Sequence, residues 1–196
     1  FSSVMDACSA PRDEENGSWI SHRIQASYEN LHALGLAHSI ECWQNSEDGQ
    51  PELVGGLYGV SFDRVFCGES MFSTRPDASK VALAWLVATL RKSQTQLLDC
   101  QFLTEHLASL GAIEITQERY VFLLTQAQSG ASAGSCGGDT GTAGADTVGV
   151  GAGATAAAGA VLPLPEAFAE LLAESESAGL SSSPGKLIAQ LLTQTS

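Results

Sequence analysis

The sequence predicts a mixed α/β (α+β) fold, with a mainly antiparallel sheet flanked by helices and a compositionally different tail. Three observations carry this. Three apolar-rich runs of strand length, His38–Gln44, Leu53–Val60 and Arg64–Phe72, follow one another with only short turns between them. A strongly apolar helical run, Ala78–Lys92, then separates them from a further apolar run, Leu97–Leu103. Composition changes sharply at Ser129: the 32 residues Ser129–Ala160 hold 10 Gly and 10 Ala, and no Lys, Arg or aromatic residue.

Each element has its own signal. Ile20, Ile24, Tyr28, Leu31 and Leu34 recur at helical spacing, so Ser21–Leu34 reads as an amphipathic helix capped by Ser18 or Ser21 and stopped by Gly35. The polar stretch Asn45–Glu52, with Gly49 and Pro51, is a turn, and Ser61–Asp63 is a tighter one, so the three strands form an antiparallel meander. Asp77 is placed to cap the helix Ala78–Lys92, whose apolar residues cover nearly every face and predict burial. Leu97–Leu103 reads as a buried strand, Thr104–Leu110 as a short helix stopped by Gly111, Ile113–Ile115 as a strand and Gln117–Gln126 as a last helix. The folded unit is therefore residues 1–128. The Gly/Ala-rich segment 129–160 buries too little apolar surface to offset chain entropy and reads as a disordered linker. The tail 161–196 has apolar clusters that predict short helices after Pro165 and Pro184.

Composition bounds the function. The chain has 196 residues, 9 basic and 22 acidic, for a net charge of −13. Of these, residues 1–128 hold 8 basic and 16 acidic, and the rest 1 and 6. Taken at face value, such acidity argues against a nucleic-acid surface. The longest apolar run, Val81–Leu90, is too short to cross a bilayer. Five scattered cysteines show no metal-ligand spacing, and their odd number predicts reduced thiols, mostly buried. The four histidines read as structural, and no Ser/His/Asp or Cys/His nucleophile set is evident. The chain opens on Phe1 rather than Met, so it is expected to be processed or cut from a longer protein.

Several segments, in order, carry a resemblance. They are Ser18-Trp19-Ile20, Leu31–Trp43 (LHALGLAHSIECW), Leu53–Val60 (LVGGLYGV), Phe66–Ser73 (FCGESMFS), Asp77–Lys80 (DASK), Leu98–Gln101 (LDCQ) and His106–Ala112 (HLASLGA). Together they resemble the leucyl/phenylalanyl-tRNA–protein transferase family over about Phe1 to Gln126. The resemblance implies a fold like the GNAT acyltransferases. It also implies transfer of Leu, Phe or Met from aminoacyl-tRNA to the N-terminal Arg or Lys of a protein, which creates an N-degron. No cofactor is implied beyond the aminoacyl-tRNA co-substrate, and no metal. The implied partners are the aminoacylated 3′ end of Leu-tRNA or Phe-tRNA and the acceptor protein, with no DNA or membrane. A cytoplasmic monomer is expected, or a plastid one in a photosynthetic eukaryote.

The residues suit this chemistry. Ester aminolysis needs a neutral amine, a destination for its proton and donors for a developing oxyanion. Gln101 carries an amide that donates or accepts. Asp99, two residues earlier on the predicted strand, shares its face and can orient Gln101 or help accept a proton. By resemblance these two are the central catalytic pair, and Glu69, a carboxylate in an apolar strand, binds substrate, a cationic amine being its natural partner. Spacing alone also allows a strand-end polar cluster for Asp99 and Gln101 and an exposed strand edge for Glu69. The resemblance places Leu57, Phe66, Met71 and Leu86 near the donor side chain, where unbranched Met71 adapts to either Leu or Phe. Plain core packing explains Leu57 and Leu86 as well. Trp19 matches a tryptophan that stacks near the terminal adenosine; its own sequence context is a hydrophobic helix start.

Against the family pattern, the N-terminal section, which holds a tryptophan-rich segment and basic tRNA-binding residues, is expected to be absent. Weak, salt-sensitive tRNA binding follows. The loop Asn45–Glu52 is long, and Gln117 stands where the family has Arg, with Arg119 a shifted substitute. Two alternatives remain. A GNAT-type N-acetyltransferase needs a Gly-rich pyrophosphate loop before its central helix, but Ser73–Asp77 contains no glycine. A non-catalytic interaction module is the other.

Overall fold

The computed structural model describes residues 1–10, 18–129 and 162–177. The predicted linker and the helix after Pro184 lie outside the described residues. Ten elements follow in order: α1 (Ser2–Ser9), α2 (His22–Ala33), β1 (Ala37–Asn45), β2 (Pro51–Phe62), β3 (Val65–Ser73), α3 (Ala78–Lys92), β4 (Leu97–Asp99), α4 (Glu105–Ser109), α5 (Gln117–Gln128) and α6 (Leu164–Ser177).

β1, β2 and β3 form the predicted antiparallel meander, and β4 adds parallel to β3, giving the order β1-β2-β3-β4. A parallel neighbour needs a crossover, and α3 supplies it. α3 covers one face of the sheet, with Leu83, Leu86 and Leu90 packed on Leu57 and Phe66. α1 and α2 cover the other, through Val4, Met5, Cys8, Ile20, Ile24 and Tyr28 around the fully buried Tyr58. Gly55 permits the close approach of α3, because a Cβ there would stand 2.5 Å from the Cβ of Ala78.

Several expectations are corrected. α1 is a helix without a sequence signal of its own, made by burying Val4, Met5 and Cys8. Asp77 does not cap α3 with its side chain: its φ is +64°, and its carboxylate binds Lys80 Nζ at 2.6 Å. Ser73 Oγ accepts the Ser79 N–H instead, at 3.4 Å. α3 is not buried on every face, since Val81 is exposed. β4 is three residues long and half-buried, not a buried strand to Leu103. Ile113–Ile115 is not a strand but an exposed connection to α5.

α6, in the segment read as tail, packs along α3. Leu171 is 1% exposed and lies against Ala88, and the Phe168 ring tilts onto Trp85 with centroids 5.4 Å apart. Lys92 reaches Glu174 at 2.7 Å and Glu170 at 3.2 Å. Exposed ion pairs contribute under about 1 kcal/mol, so the apolar contact holds the helix. Leu171→Ala is expected to weaken docking by about 2–4 kcal/mol. Amide exchange in α6 should quicken while that of β2 stays unchanged; equal exchange in α6 would refute apolar docking.

Candidate active site

The pairing of β3 with β4 ends at Cys67–Asp99, and the two chains then part. Just beyond, β3 departs from regular pairing with β2. Tyr58 pairs with Ser70 and Gly59 with Gly68, so Glu69 is the extra residue of a β-bulge. The bulge has two effects. It frees Glu69 from the ladder. It also resets the alternation, so Phe66 and Met71, five residues apart, both join the α3-side cluster, while Phe72 joins the opposite one.

Gln101 does not share a strand with Asp99, since β4 stops at Asp99 and Gln101 sits in a bend at φ +63°. The two are joined another way: Asp99 Oδ1 accepts the Gln101 backbone N–H at 2.7 Å. Gln101 Nε2 in turn donates to Glu69 Oε2 at 3.0 Å, closing the gap between the parted chains. The three polar residues named from the sequence thus form one hydrogen-bonded cluster. Left-handed backbone at a non-glycine residue is held against strain by its surroundings, and such residues concentrate at functional sites.

Two tyrosines complete the cluster without having been singled out from the sequence. Tyr120 of α5 donates its hydroxyl to Asp99 Oδ2 at 2.9 Å. Tyr28 of α2 faces Glu69; burial first, then the Glu69 carboxylate, pushes its phenol well above the usual range. Tyr28 was legible only as part of a helical apolar face. Nothing in the sequence marks Tyr120. Burial first, then the Asp99 and Glu69 charges, pushes the Cys67 thiol up, and burial and Asp99 do the same to Cys100.

Leu57, Phe66, Leu86 and Met71 meet in one apolar cluster. Leu57 pairs with Met71 across the sheet. Phe66 and Leu86 also line a cavity of about 390 Å³, walled by Ile40, Thr89 and, from α6, Leu164 and Phe168. Glu69, Asp99 and Gln101 do not line it. Trp19 stands apart, 55% exposed just before α2. Arg119 lies over the Phe122 ring, its guanidinium 5.2 Å from the centroid. Two of the histidines hold the framework: His32 Nδ1 donates to the Ala37 carbonyl at 2.7 Å, and His38 Nε2 meets Ser61 Oγ at 3.0 Å. Among the described residues, Cys8, Cys42, Cys67 and Cys100 form no disulfide with one another.

A family model described as leucyl/phenylalanyl-tRNA protein transferase matches residues 1–125, which include every residue of this cluster. The chain belongs to this family. The transferase of Novosphingobium aromaticivorans is 58% identical over 201 residues, covering 100% of this chain and 73% of that protein. Those of Zymomonas mobilis subsp. mobilis and Rhizorhabdus wittichii are 55% and 52% identical, covering 66% and 70% of this chain and 46% and 54% of their own lengths. The chain thus spans about half the length of the latter two transferases. α6 lies beyond the residues 1–125 that the family model matches. Among the described residues, no helix is long and apolar enough to cross a membrane.

Proposed function

We propose that this chain carries the acyl-transfer centre of an enzyme that moves Leu, Phe or Met from aminoacyl-tRNA to the N-terminal Arg or Lys of an acceptor protein. The Glu69–Gln101 hydrogen bond across the parted strands carries the reading, together with the family match. A peptide bond forms between the acceptor amine nitrogen and the aminoacyl carbonyl carbon. The ester C–O bond to the terminal ribose breaks, and the amine's proton ends on the departing ribose oxygen. The ester is already activated, so this needs no cofactor or metal beyond the co-substrate.

Glu69 binds an ammonium or amine hydrogen of the substrates, and Gln101 orients the reacting groups through its amide. Leu57, Phe66, Met71 and Leu86 form the apolar surroundings of the donor side chain, and Trp19 offers an exposed ring to the terminal base. The new N-terminal residue acts as an N-degron, and the monomer works in the cytoplasm.

An acetyl-CoA reading is weaker. The α3 N-terminus has no glycine loop and already holds the Asp77–Lys80 ion pair. The test is to incubate the chain with radiolabelled Leu-tRNA and a protein bearing N-terminal Arg. Label should pass to the protein. Label taken from acetyl-CoA and not from Leu-tRNA would establish the alternative.

A further inference from the structure

We infer that Tyr120 is a positioning residue of this site: its hydroxyl fixes the Asp99 carboxylate, which in turn fixes the backbone of Gln101. As a statement about catalysis, this rests on the proposed transfer reaction. As a statement about geometry, it stands alone.

Gln101 is the residue that needs support. Its amide must point at Glu69, yet it lies two residues past the last β3–β4 pair, so no sheet ladder holds it. Its backbone occupies the left-handed region, which side-chain-bearing residues rarely adopt without support. The support is the bond from its N–H to Asp99 Oδ1. A carboxylate that bound only this N–H could still turn about its own side-chain torsion, and Gln101 would turn with it. Tyr120 removes that freedom by occupying Oδ2. Each Asp99 oxygen then has one protein donor, which suits a holding group better than a group that collects the amine's proton.

α5 is built to deliver this one contact. Tyr120 is half-buried, while its neighbours Val121 and Phe122 are 52% and 49% exposed, and Ala127 is the buried residue of the helix. Thr116 caps the helix, its Oγ1 accepting the Arg119 N–H at 3.2 Å, which sets the first turn and with it the place of Tyr120. The Asp99 hydrogen bond, with burial, pushes the Tyr120 phenol up to about 12, so it remains a donor at every working pH.

The test uses the full chain, Leu-tRNA and a peptide with N-terminal Arg. Tyr120→Phe deletes one oxygen and should lower kcat about tenfold, the loss of one hydrogen bond to a charged group. KM for the peptide should stay within about twofold, because no substrate contact is removed. In an Asp99→Ala background, Tyr120→Phe should cost nothing further, since nothing is left to act through. An unchanged kcat, or losses that multiply in the double variant, overturns the inference. Amide exchange by NMR gives a second readout: the Gln101 amide should exchange several-fold faster in Tyr120→Phe while α3 amides do not change. If the wild-type chain transfers no leucine, the transfer reading fails, and Gln101 exchange alone decides the positioning claim. Equal Gln101 exchange in both proteins overturns it.

Discussion

Glu69→Ala is expected to lower kcat/KM for leucine transfer by on the order of 10²–10³-fold, the range for removing one preorganised polar group from a reacting centre. The loss has two sources. The carboxylate proposed to receive the substrate amine disappears, and Gln101 loses the acceptor that aims its amide. Gln101→Ala should fall in the same range, and the double variant should be far less active-impaired than the product of the two, because both act through one contact. Stability should barely change, since Gln101 is exposed and Glu69 is half-buried on a bulge. Glu69→Gln separates charge from shape: it preserves a partner for Gln101 but not the attraction for an ammonium. If kcat/KM is the same in Glu69→Ala and wild type, the site assignment is wrong.

Gly59→Ala should damage the fold most. A Cβ there would overlap the Cys67 carbonyl oxygen and stand 2.5 Å from the Phe66 ring. The obstacle is backbone and a 1%-exposed aromatic, neither of which can swing away. Overpacking of this kind costs about 3 kcal/mol. For a domain of this size, Tm should fall by on the order of 10 °C. Because Gly59 pairs with Gly68 at the bulge, transfer should fall more than stability when both are measured well below Tm. A Tm within about 2 °C of wild type would show that the β2–β3 pair can open without cost.

Periodicity exposed the frame of this fold. The Ala78–Lys92 helix, the Tyr28 face of α2 and the three meander strands follow from apolar spacing and turn residues, because those signals are local. Leu97–Leu103 misled for a physical reason. Its apolar residues suggest a buried strand, but Phe102 is 81% exposed and Leu103 42%, and the chain turns away once Asp99 binds Gln101. Ile113 failed similarly: at 67% exposed, it is apolar without being core. The bulge leaves a trace only in hindsight. Phe66 and Met71 differ by an odd number of residues and cannot share a face of a regular strand, and the conflict resolves at Glu69. Asp99, Gln101 and Glu69 could be named from a family pattern, but the bonds among them come from a strand that ends early and a left-handed residue. Tyr120 had no sequence mark because its role depends on where α5 lands.

The crossover from β3 through α3 to β4 also determines when the site comes into being. Glu69 and Gln101 are 32 residues apart in sequence. Their meeting closes a loop whose entropy is recovered only after α3 has settled on the sheet and β4 has found its parallel partner. The β1–β2–β3 meander needs only short-range pairings and can assemble first. A chain arrested at that stage would hold most of its sheet but not the Glu69–Gln101 contact, which needs the crossover in place.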